Sequence, residues 1–343
     1  MNRETKILNL TTVYPFGIYR WTKSEHTNIL FVIENDGVIG FGEAAPNDRY
    51  GETEKTTIEF LNKLEVPDIE NLDQIRRFLN QTHALTEGDW AAKSALDIAL
   101  LDWLGKKLGV PVSQLLGISV SKSLPTSYTL GFDIPQVMAE KALRASEYSI
   151  LKIKLGTQWD KENIEAVRGV TNKTLRVDVN EGWENKEEAL RMIEWLADKN
   201  VELVEQPLPL GRIEDMTWLK SRSPLPLIAD EDCQHESDID RLAQAFHGVN
   251  IKLDKCGGLI RSMEIIKKAR SNGLVVMLGS KICTSLSATA TALLTPLADF
   301  ADIDGHLLIA EDPFVGVQQK NGFIHLSQTA GIGVEERTVD SRV

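Results

Sequence analysis

The feature that most constrains the fold is a series of short apolar segments that recurs between residues 127 and 305. Each segment ends in charged or polar residues, and these polar ends lie 22 to 28 residues apart. This interval fits one strand, one helix and two short loops, the repeating unit of a parallel sheet. Eight units predict a closed (β/α) barrel whose reactive groups lie at the C-terminal ends of its strands. The eight segments are 127–131, 151–155, 175–180, 202–207, 227–231, 249–254, 274–280 and 300–305.

Three acidic residues end the third, fourth and fifth predicted strands. They are Asp178, Glu205 and Asp230, and in a closed barrel they share one arc of the mouth. Carboxylate oxygens are hard ligands that suit Mg²⁺, so we predict one Mg²⁺ ion per subunit at this arc. Each acid taken singly could instead pair with a helix N-terminus or with a nearby lysine.

Lysines flank these acids. Lys152 and Lys154 are two residues apart on the second strand and therefore project to the same side, while Lys252 ends the sixth strand, opposite the second in an eight-strand ring. Nearby cations or burial lower the pKa of a lysine, which could make one of the pair a usable base. Two solvated surface lysines are the alternative for the first pair. Lys255 is a weaker candidate base because its position has the wrong strand parity.

Composition narrows the class of protein. The 343 residues carry a net charge of −12, which disfavours nucleic acid and anionic membranes as partners. Hydrophobic residues make up 42% of the chain, enough for a full core, so a small-molecule enzyme is expected. Three widely spaced cysteines indicate neither a disulfide framework nor a zinc site. We find no signal-peptide core and no membrane-spanning stretch, and expect a cytoplasmic protein.

The chain divides into three predicted parts. Residues 1–120 read as an α+β capping domain, with two strands joined through Asn35-Asp36-Gly37 and helices near 53–64, 72–80 and 89–108. Residues 121–312 form the barrel. Residues 313–343 return to short strands and are expected to pack on the N-terminal domain.

Residues 14–26 read as a long loop between two strands, rich in aromatic and polar side chains. Long loops in compact domains are often lids. We predict a cap over the barrel mouth in which Arg20 and Trp21 contact the substrate. A loop packed between the two domains is the alternative.

Five motifs stand at the ends of the predicted strands: Lys152-Ile153-Lys154, Asp178-Val179-Asn180, Glu205-Gln206-Pro207, Asp230-Glu231 and Asn250-Ile251-Lys252. Together they resemble the muconate lactonising enzyme subgroup of the enolase superfamily, and the resemblance covers essentially the whole chain. Within that subgroup, Asp302-Ile303-Asp304 on the eighth strand is similar to the acidic pair of dipeptide epimerases, which holds the free ammonium group of a dipeptide. Capping of the following helix is the alternative for these two acids.

The resemblance implies a two-base epimerisation. Mg²⁺ on the three acids would act as a Lewis acid that stabilises the enediolate formed when a proton is removed beside the substrate carboxylate. Lys154 and Lys252 would take and return the proton on opposite faces of the α-carbon. Lys152 would bind a substrate oxygen and keep the pKa of Lys154 low. Thr129 and Ser280 should line the substrate pocket.

Specificity is less constrained. Arg20 or Lys281 could receive the side chain of an Ala-Glu dipeptide, but the aromatic residues of segment 14–26 suit a small or apolar residue, and we favour Ala-Xaa dipeptides of that kind. Three other activities remain alternatives within the subgroup: N-acylamino acid racemase, o-succinylbenzoate synthase and cycloisomerase. Outside enzymes, the alternative is a barrel that serves as a binding or structural protein. Homo-oligomers are common among such barrels.

Overall fold

A computed structural model describes residues 1–119 and 124–337. The domain boundary predicted between residues 120 and 121, and the last six residues of segment 313–343, lie outside these ranges. The chain begins with a three-stranded antiparallel sheet in the order β1-β2-β3. Its strands are β1 (Asn2–Ile18), β2 (Trp21–Asn35) and β3 (Val38–Ala44). The predicted hairpin through Asp36-Gly37 is confirmed: both residues have positive φ, as a two-residue turn of type I′ requires.

The prediction of a loop over residues 14–26 is wrong. Most of this segment extends the β1–β2 hairpin, which turns at Tyr19 and Arg20. The pairing register shifts between Thr11 and Phe16, so residues 12–15 bulge opposite Ser24 alone. This bulge interrupts the alternation of buried and exposed positions, which is why the sequence pattern does not resemble a continuous strand.

Four helices follow the sheet, and the three that were predicted are confirmed. The longest, α3, packs across the sheet, and its residues 91–105 are all buried. A side chain at Gly42 would overlap the carbonyl oxygen of Ala95, so glycine permits this close approach. Gly109, with φ of 68°, ends α3. The helices are α1 (Glu54–Lys63), α2 (Leu72–Leu85), α3 (Trp90–Leu108) and α4 (Val112–Leu115).

The predicted barrel is confirmed. Eight parallel strands follow one another in chain order around a single sheet, and a bridge between Thr126 and Ala301 joins its two ends. Buried Leu203, Ile228 and Met277 form a small apolar cluster of their own on three of these strands. The strands are β4 (Ser127–Leu130), β5 (Ile150–Lys154), β6 (Thr174–Asp178), β7 (Val201–Glu205), β8 (Leu227–Ala229), β9 (Gly248–Ile251), β10 (Val275–Gly279) and β11 (Phe300–Asp302).

Helices connect these strands and bury their apolar faces against the outside of the sheet, which forms the main core. Within the described residues, none of the helices is long and apolar enough to cross a membrane. The helices are α5 (Pro135–Arg144), α6 (Asp160–Arg168), α7 (Lys186–Ala197), α8 (Ile213–Lys220), α9 (Ile239–Ala245), α10 (Leu253–Cys256), α11 (Leu259–Ser271) and α12 (Ser285–Ala292).

The C-terminal segment contacts the N-terminal sheet and helix α3. The rings of Phe314 and Phe41 lie 5.7 Å apart, and the N–H of Ile332 donates to Asp102 on α3 at 2.9 Å. Its short strands are β12 (Phe314–Val315), β13 (Gln318–Lys320), β14 (Phe323–His325) and β15 (Glu335–Glu336).

Candidate active site

A cavity of about 400 Å³ lies where the β1–β2 hairpin covers the C-terminal ends of the barrel strands. Most of the predicted site residues line this cavity, while Asp178 and Glu205 lie beside it and are completely buried. The strand ends therefore bring the predicted residues together. The predicted residues that line the cavity are Arg20, Trp21, Thr129, Lys152, Lys154, Asp230, Lys252, Ser280, Asp302 and Asp304.

The three predicted metal ligands converge. One carboxylate oxygen from each of Asp178, Glu205 and Asp230 lies within 4.8 Å of the others. Asp178 ends β6, Glu205 ends β7, and Asp230 follows β8, so adjacent parallel strands supply all three. Asn250 supports the group by donating a hydrogen bond to Oε1 of Glu205 at 2.8 Å. Three buried hard oxygen donors fit the ligand preferences of Mg²⁺.

The electrostatics of these acids favour a bound cation. Burial and the neighbouring Asp178 raise the pKa of Glu205 to about 8. Burial also acts to raise the pKa of Asp178, but Lys152 and Lys154 outweigh it and hold that pKa well below its usual range. Lysine ammonium groups thus offset only part of the cost of clustering three carboxylates, and a divalent cation would supply more positive charge at the same place.

Lysines lie on both sides of the acidic group. Nζ of Lys154, on β5, is 2.7 Å from Oδ2 of Asp178, and Nζ of Lys252, after β9, is 2.7 Å from Oδ2 of Asp230. The two lysines come from the second and sixth barrel strands, which are opposite in the ring. Each lysine therefore contacts one of the two outer residues of the three predicted metal ligands, Asp178 or Asp230.

Lys152 lies deeper between the acids. Its Nζ is 2.5 Å from Asp302, 2.7 Å from Glu205 and 3.0 Å from Asp178. Burial lowers the pKa of Lys152, but these carboxylates raise it further, so the net pKa lies well above the ordinary lysine value. Lys152 is thus a fixed ammonium group at the centre of the site.

Sequence reasoning gave Lys255 no supporting role. Its Nζ donates to Oδ1 of Asp230 at 2.5 Å and to the backbone oxygens of Asp230 and Asn250. Lys255 therefore joins Asp230, at the end of β8, to the neighbouring strand β9. The strand parity used in the prediction does not apply here, because the chain turns into helix α10 at Leu253.

The predicted acidic pair on the eighth strand is buried beside the first barrel strand. Oδ1 of Asp302 accepts a hydrogen bond from the hydroxyl of Ser127 at 2.5 Å, and Oδ2 of Asp304 accepts from the N–H of Thr129 at 2.5 Å. Burial and the neighbouring Asp302 raise the pKa of Asp304 to about 6. Sequence reasoning missed Ser127, although its two-residue spacing from Thr129 was a usable signal.

Arg20 binds protein carboxylates. It donates to Oε2 of Glu181 at 2.5 Å, to Oε1 of Glu231 at 3.0 Å and to the backbone oxygen of Asn180 at 2.6 Å. Arg49 donates to the other oxygen of Glu181 at 2.5 Å. The tip of the hairpin is therefore attached to the ends of β6 and β8. Nothing in the local sequence indicates these partners.

Comparison with known proteins identifies the family. Residues 2–117 match the family described as "Mandelate racemase / muconate lactonizing enzyme, N-terminal domain", and residues 136–338 match "Enolase C-terminal domain-like". The chain belongs to the enolase superfamily, as the motifs predicted.

Two relatives of known class are similar to this chain over most of its length. An L-Ala-D/L-Glu epimerase of Bacteroides thetaiotaomicron is 39% identical over 94% of this chain and 84% of its own length. An L-Ala-D/L-amino acid epimerase of Pedosphaera parvula is 42% identical over 86% of each chain. Both relatives are isomerases, in agreement with the predicted class of enzyme.

Solved structures agree with the fold. The N-succinyl Arg/Lys racemase from Bacillus cereus superposes with a TM-score of 0.91 at 30% identity, covering 98% of this chain and 95% of its own. A dipeptide epimerase from Cytophaga hutchinsonii, complexed with Mg and D-Ala-L-Val, superposes with a TM-score of 0.91 at 28% identity, covering 98% and 96%.

Proposed function

We propose that this protein is a Mg²⁺-dependent dipeptide epimerase that inverts the α-carbon of the C-terminal residue of a dipeptide. One observation carries the proposal. Lys154 and Lys252, from opposite barrel strands, flank a buried group of three carboxylates at the edge of a cavity that the acids Asp302 and Asp304 also line. Inversion at a carbon needs proton donors and acceptors on both of its faces, and the two lysines supply them.

Asp178, Glu205 and Asp230 would hold the Mg²⁺ ion. Bound there, the ion supplies Lewis-acid stabilisation of the negative charge that develops on the substrate carboxylate. Lys154 takes the α-proton from one face in its neutral form, and Lys252 gives a proton to the other face. The reverse reaction exchanges these roles.

The remaining residues orient the substrate. The fixed ammonium group of Lys152 donates to a substrate carboxylate oxygen, since it already lies among the carboxylates of the metal group. Asp302 and Asp304 receive the substrate ammonium group. A dipeptide suits this arrangement because a peptide unit separates its ammonium group from its carboxylate.

The contacts of Arg20 favour a neutral C-terminal residue. Its guanidinium group is already paired with Glu181 and Glu231, and Nζ of Lys281 donates to the backbone oxygen of Ala45 at 2.6 Å. A glutamate side chain would have to compete with these internal partners. Dipeptides with a small or apolar C-terminal residue are therefore the favoured substrates, ahead of those that end in glutamate.

A second candidate, N-acylamino acid racemase activity, is favoured by one observation. Both oxygens of Asp302 already have partners, Ser127 and Lys152. An N-acylated substrate has no ammonium group and would leave these contacts intact.

The deciding experiment is a mass-spectrometric screen of a dipeptide library and matched N-acetyl amino acids in D₂O with Mg²⁺. Deuterium at the C-terminal α-carbon of dipeptides is the expected result. Incorporation into the N-acetyl compounds alone would replace the proposal by the second candidate. No incorporation into either set by the folded, Mg²⁺-bound protein would refute both.

A further inference from the structure

A second cavity lies beside the candidate active site. Its volume is about 310 Å³, within the ~300–1,000 Å³ of small-molecule sites. Phe16, Thr129 and Leu308 line both cavities, so they form a shared wall at which the two cavities adjoin.

This wall contacts the proposed catalytic groups. The ring centroid of Phe16 is 5.8 Å from Nζ of Lys154, and the N–H of Thr129 binds Asp304. A substrate group held by Asp304 would therefore lie next to the wall of the second cavity.

The bulge of β1 builds the far side of the second cavity. Its residues Val13, Tyr14 and Pro15 line the cavity. The bulge is held in place by the chain after the eighth barrel strand, where the oxygen of Leu308 accepts from the N–H of Val13 at 2.9 Å. Bulges often redirect side chains next to active sites, and this one directs residues into the second cavity.

Four aromatic residues line the second cavity, together with aliphatic residues and three charged ones. The aromatic residues are Tyr14, Phe16, Tyr128 and Tyr148, and the charged ones are Lys141, Arg144 and Glu147. The rings of Tyr128 and Tyr148 stack with centroids 4.5 Å apart and planes at 16°. The hydroxyl of Tyr14 accepts from Arg144 at 2.5 Å, and Lys141 is paired with Asp133 at 3.1 Å, so both cations already have partners. Exposed aromatic faces bind aromatic and large aliphatic groups well.

We propose that the second cavity binds the side chain of the substrate's N-terminal residue, and that it selects an aromatic or large aliphatic side chain there. This inference rests on the proposed function, because the ammonium group assigned to Asp302 and Asp304 and this side chain share one carbon atom. Any side chain on that carbon starts beside Asp304 and Thr129, and the second cavity adjoins this position because Thr129 lines it as well.

The test compares kcat/KM for Phe-Ala and Leu-Ala with kcat/KM for Ala-Ala. We expect the larger dipeptides to exceed Ala-Ala by about tenfold, the size of discrimination that apolar pockets achieve. A ratio of one or less, with Ala-Ala epimerised, overturns the subsite and leaves the proposed function in place. If none of the three dipeptides is epimerised, the result counts against the proposed function itself.

Two variants locate the effect. Val13 lines the cavity and is 52% exposed, so Val13→Trp can fill the space without burial in the core. We expect this variant and Tyr148→Ala each to reduce the Phe-Ala to Ala-Ala ratio by about tenfold. The matched control, Val170→Trp at an exposed site outside both cavities, should keep the ratio of the unsubstituted protein. Unchanged ratios in both cavity variants, or Ala-Phe-Ala turned over faster than Phe-Ala, would overturn the assignment.

Discussion

The Nζ atom of Lys152 lies 2.5 Å from Oδ2 of Asp302, although the two residues are 150 positions apart in the chain. The same ammonium group contacts Glu205, two strands further along the barrel. Asp302 therefore positions Lys152, in addition to the role that we propose for it in binding the substrate ammonium group. Asp304 has no such contact with Lys152 among the described residues, so substitutions can separate the two roles.

We expect Asp304→Asn to reduce kcat/KM for dipeptides by about tenfold to a hundredfold, because a hydrogen bond to a charged group contributes ~1.5–3 kcal/mol. N-acetyl amino acids, which lack the ammonium group, should be affected little. Asp302→Asn should reduce turnover of both kinds of substrate, since it also releases Lys152. For each variant, steady-state kinetics on one dipeptide and its N-acetyl analogue measure the loss of kcat/KM relative to the unsubstituted protein. Equal effects of Asp304→Asn on the two substrates would contradict the ammonium assignment.

Removal of either proposed base should stop inversion without stopping exchange. Lys154→Ala and Lys252→Ala are each expected to reduce epimerisation by at least about 10²-fold, the usual contribution of a general base. Each variant should still exchange the α-proton of the one isomer that faces its remaining lysine. Proton NMR in D₂O on both pure isomers measures this directly. Exchange of both isomers by both variants would mean that the lysines are not divided between two faces.

Arg20 provides a test of substrate specificity. If it only attaches the hairpin tip to Glu181 and Glu231, Arg20→Ala should reduce kcat/KM for Ala-Glu and Ala-Val by the same factor. The matched control is Arg49→Ala, which removes a second guanidinium from Glu181 but leaves the contact with Glu231. A loss confined to Ala-Glu would show that Arg20 binds the glutamate side chain, and would reverse our preference for neutral residues.

The site residues on strands were predictable because side-chain direction alternates with a period of two. This rule placed Lys152 beside Lys154, and the regular spacing of the strands placed Asp178, Glu205 and Asp230 on one arc. Both inferences need only local sequence and the assumption of a closed barrel.

The remaining contacts depend on how distant segments meet. Arg20 and Glu231 are 211 residues apart, and their ion pair requires the hairpin to bend over the barrel. The prediction for Lys152 considered only its repulsion by the neighbouring lysine. In the folded chain Lys152 is surrounded by carboxylates from three other strands, which no local pattern reveals.

The metal proposal has a test that does not depend on turnover. Mg²⁺ that binds the folded protein alone should raise its Tm, and at 100 times Kd the stabilisation is ~2.7 kcal/mol. We expect the shift to be lost in Glu205→Gln, because the central carboxylate of the group is removed. Asn250→Ala, which removes only a hydrogen bond to Glu205, should retain a smaller shift. A full Mg²⁺ shift in Glu205→Gln would place the ion elsewhere.

Titration of Glu43 should make the free energy of unfolding depend on pH. Its fully buried carboxylate accepts hydrogen bonds from Asn28, Thr284 and Ser287, and thereby joins the N-terminal sheet to the barrel. Burial raises its pKa from 4.5 to about 7, although the hydrogen bonds from Asn28 and Thr284 oppose the rise. Because the folded state holds this proton more tightly than the unfolded state, its contribution to stability is complete below pH 4.5 and is lost as pH rises through 7.

The free energy of unfolding should therefore fall more between pH 5 and pH 8 in the unsubstituted protein than in Glu43→Gln, whose amide does not titrate. Urea unfolding at the two pH values measures the difference. Glu65→Gln, at an exposed position, is the control and should follow the unsubstituted protein. If Glu43→Gln shows the same fall, the buried carboxyl is already ionised at pH 5, and its hydrogen-bond donors outweigh the cost of burying the charge.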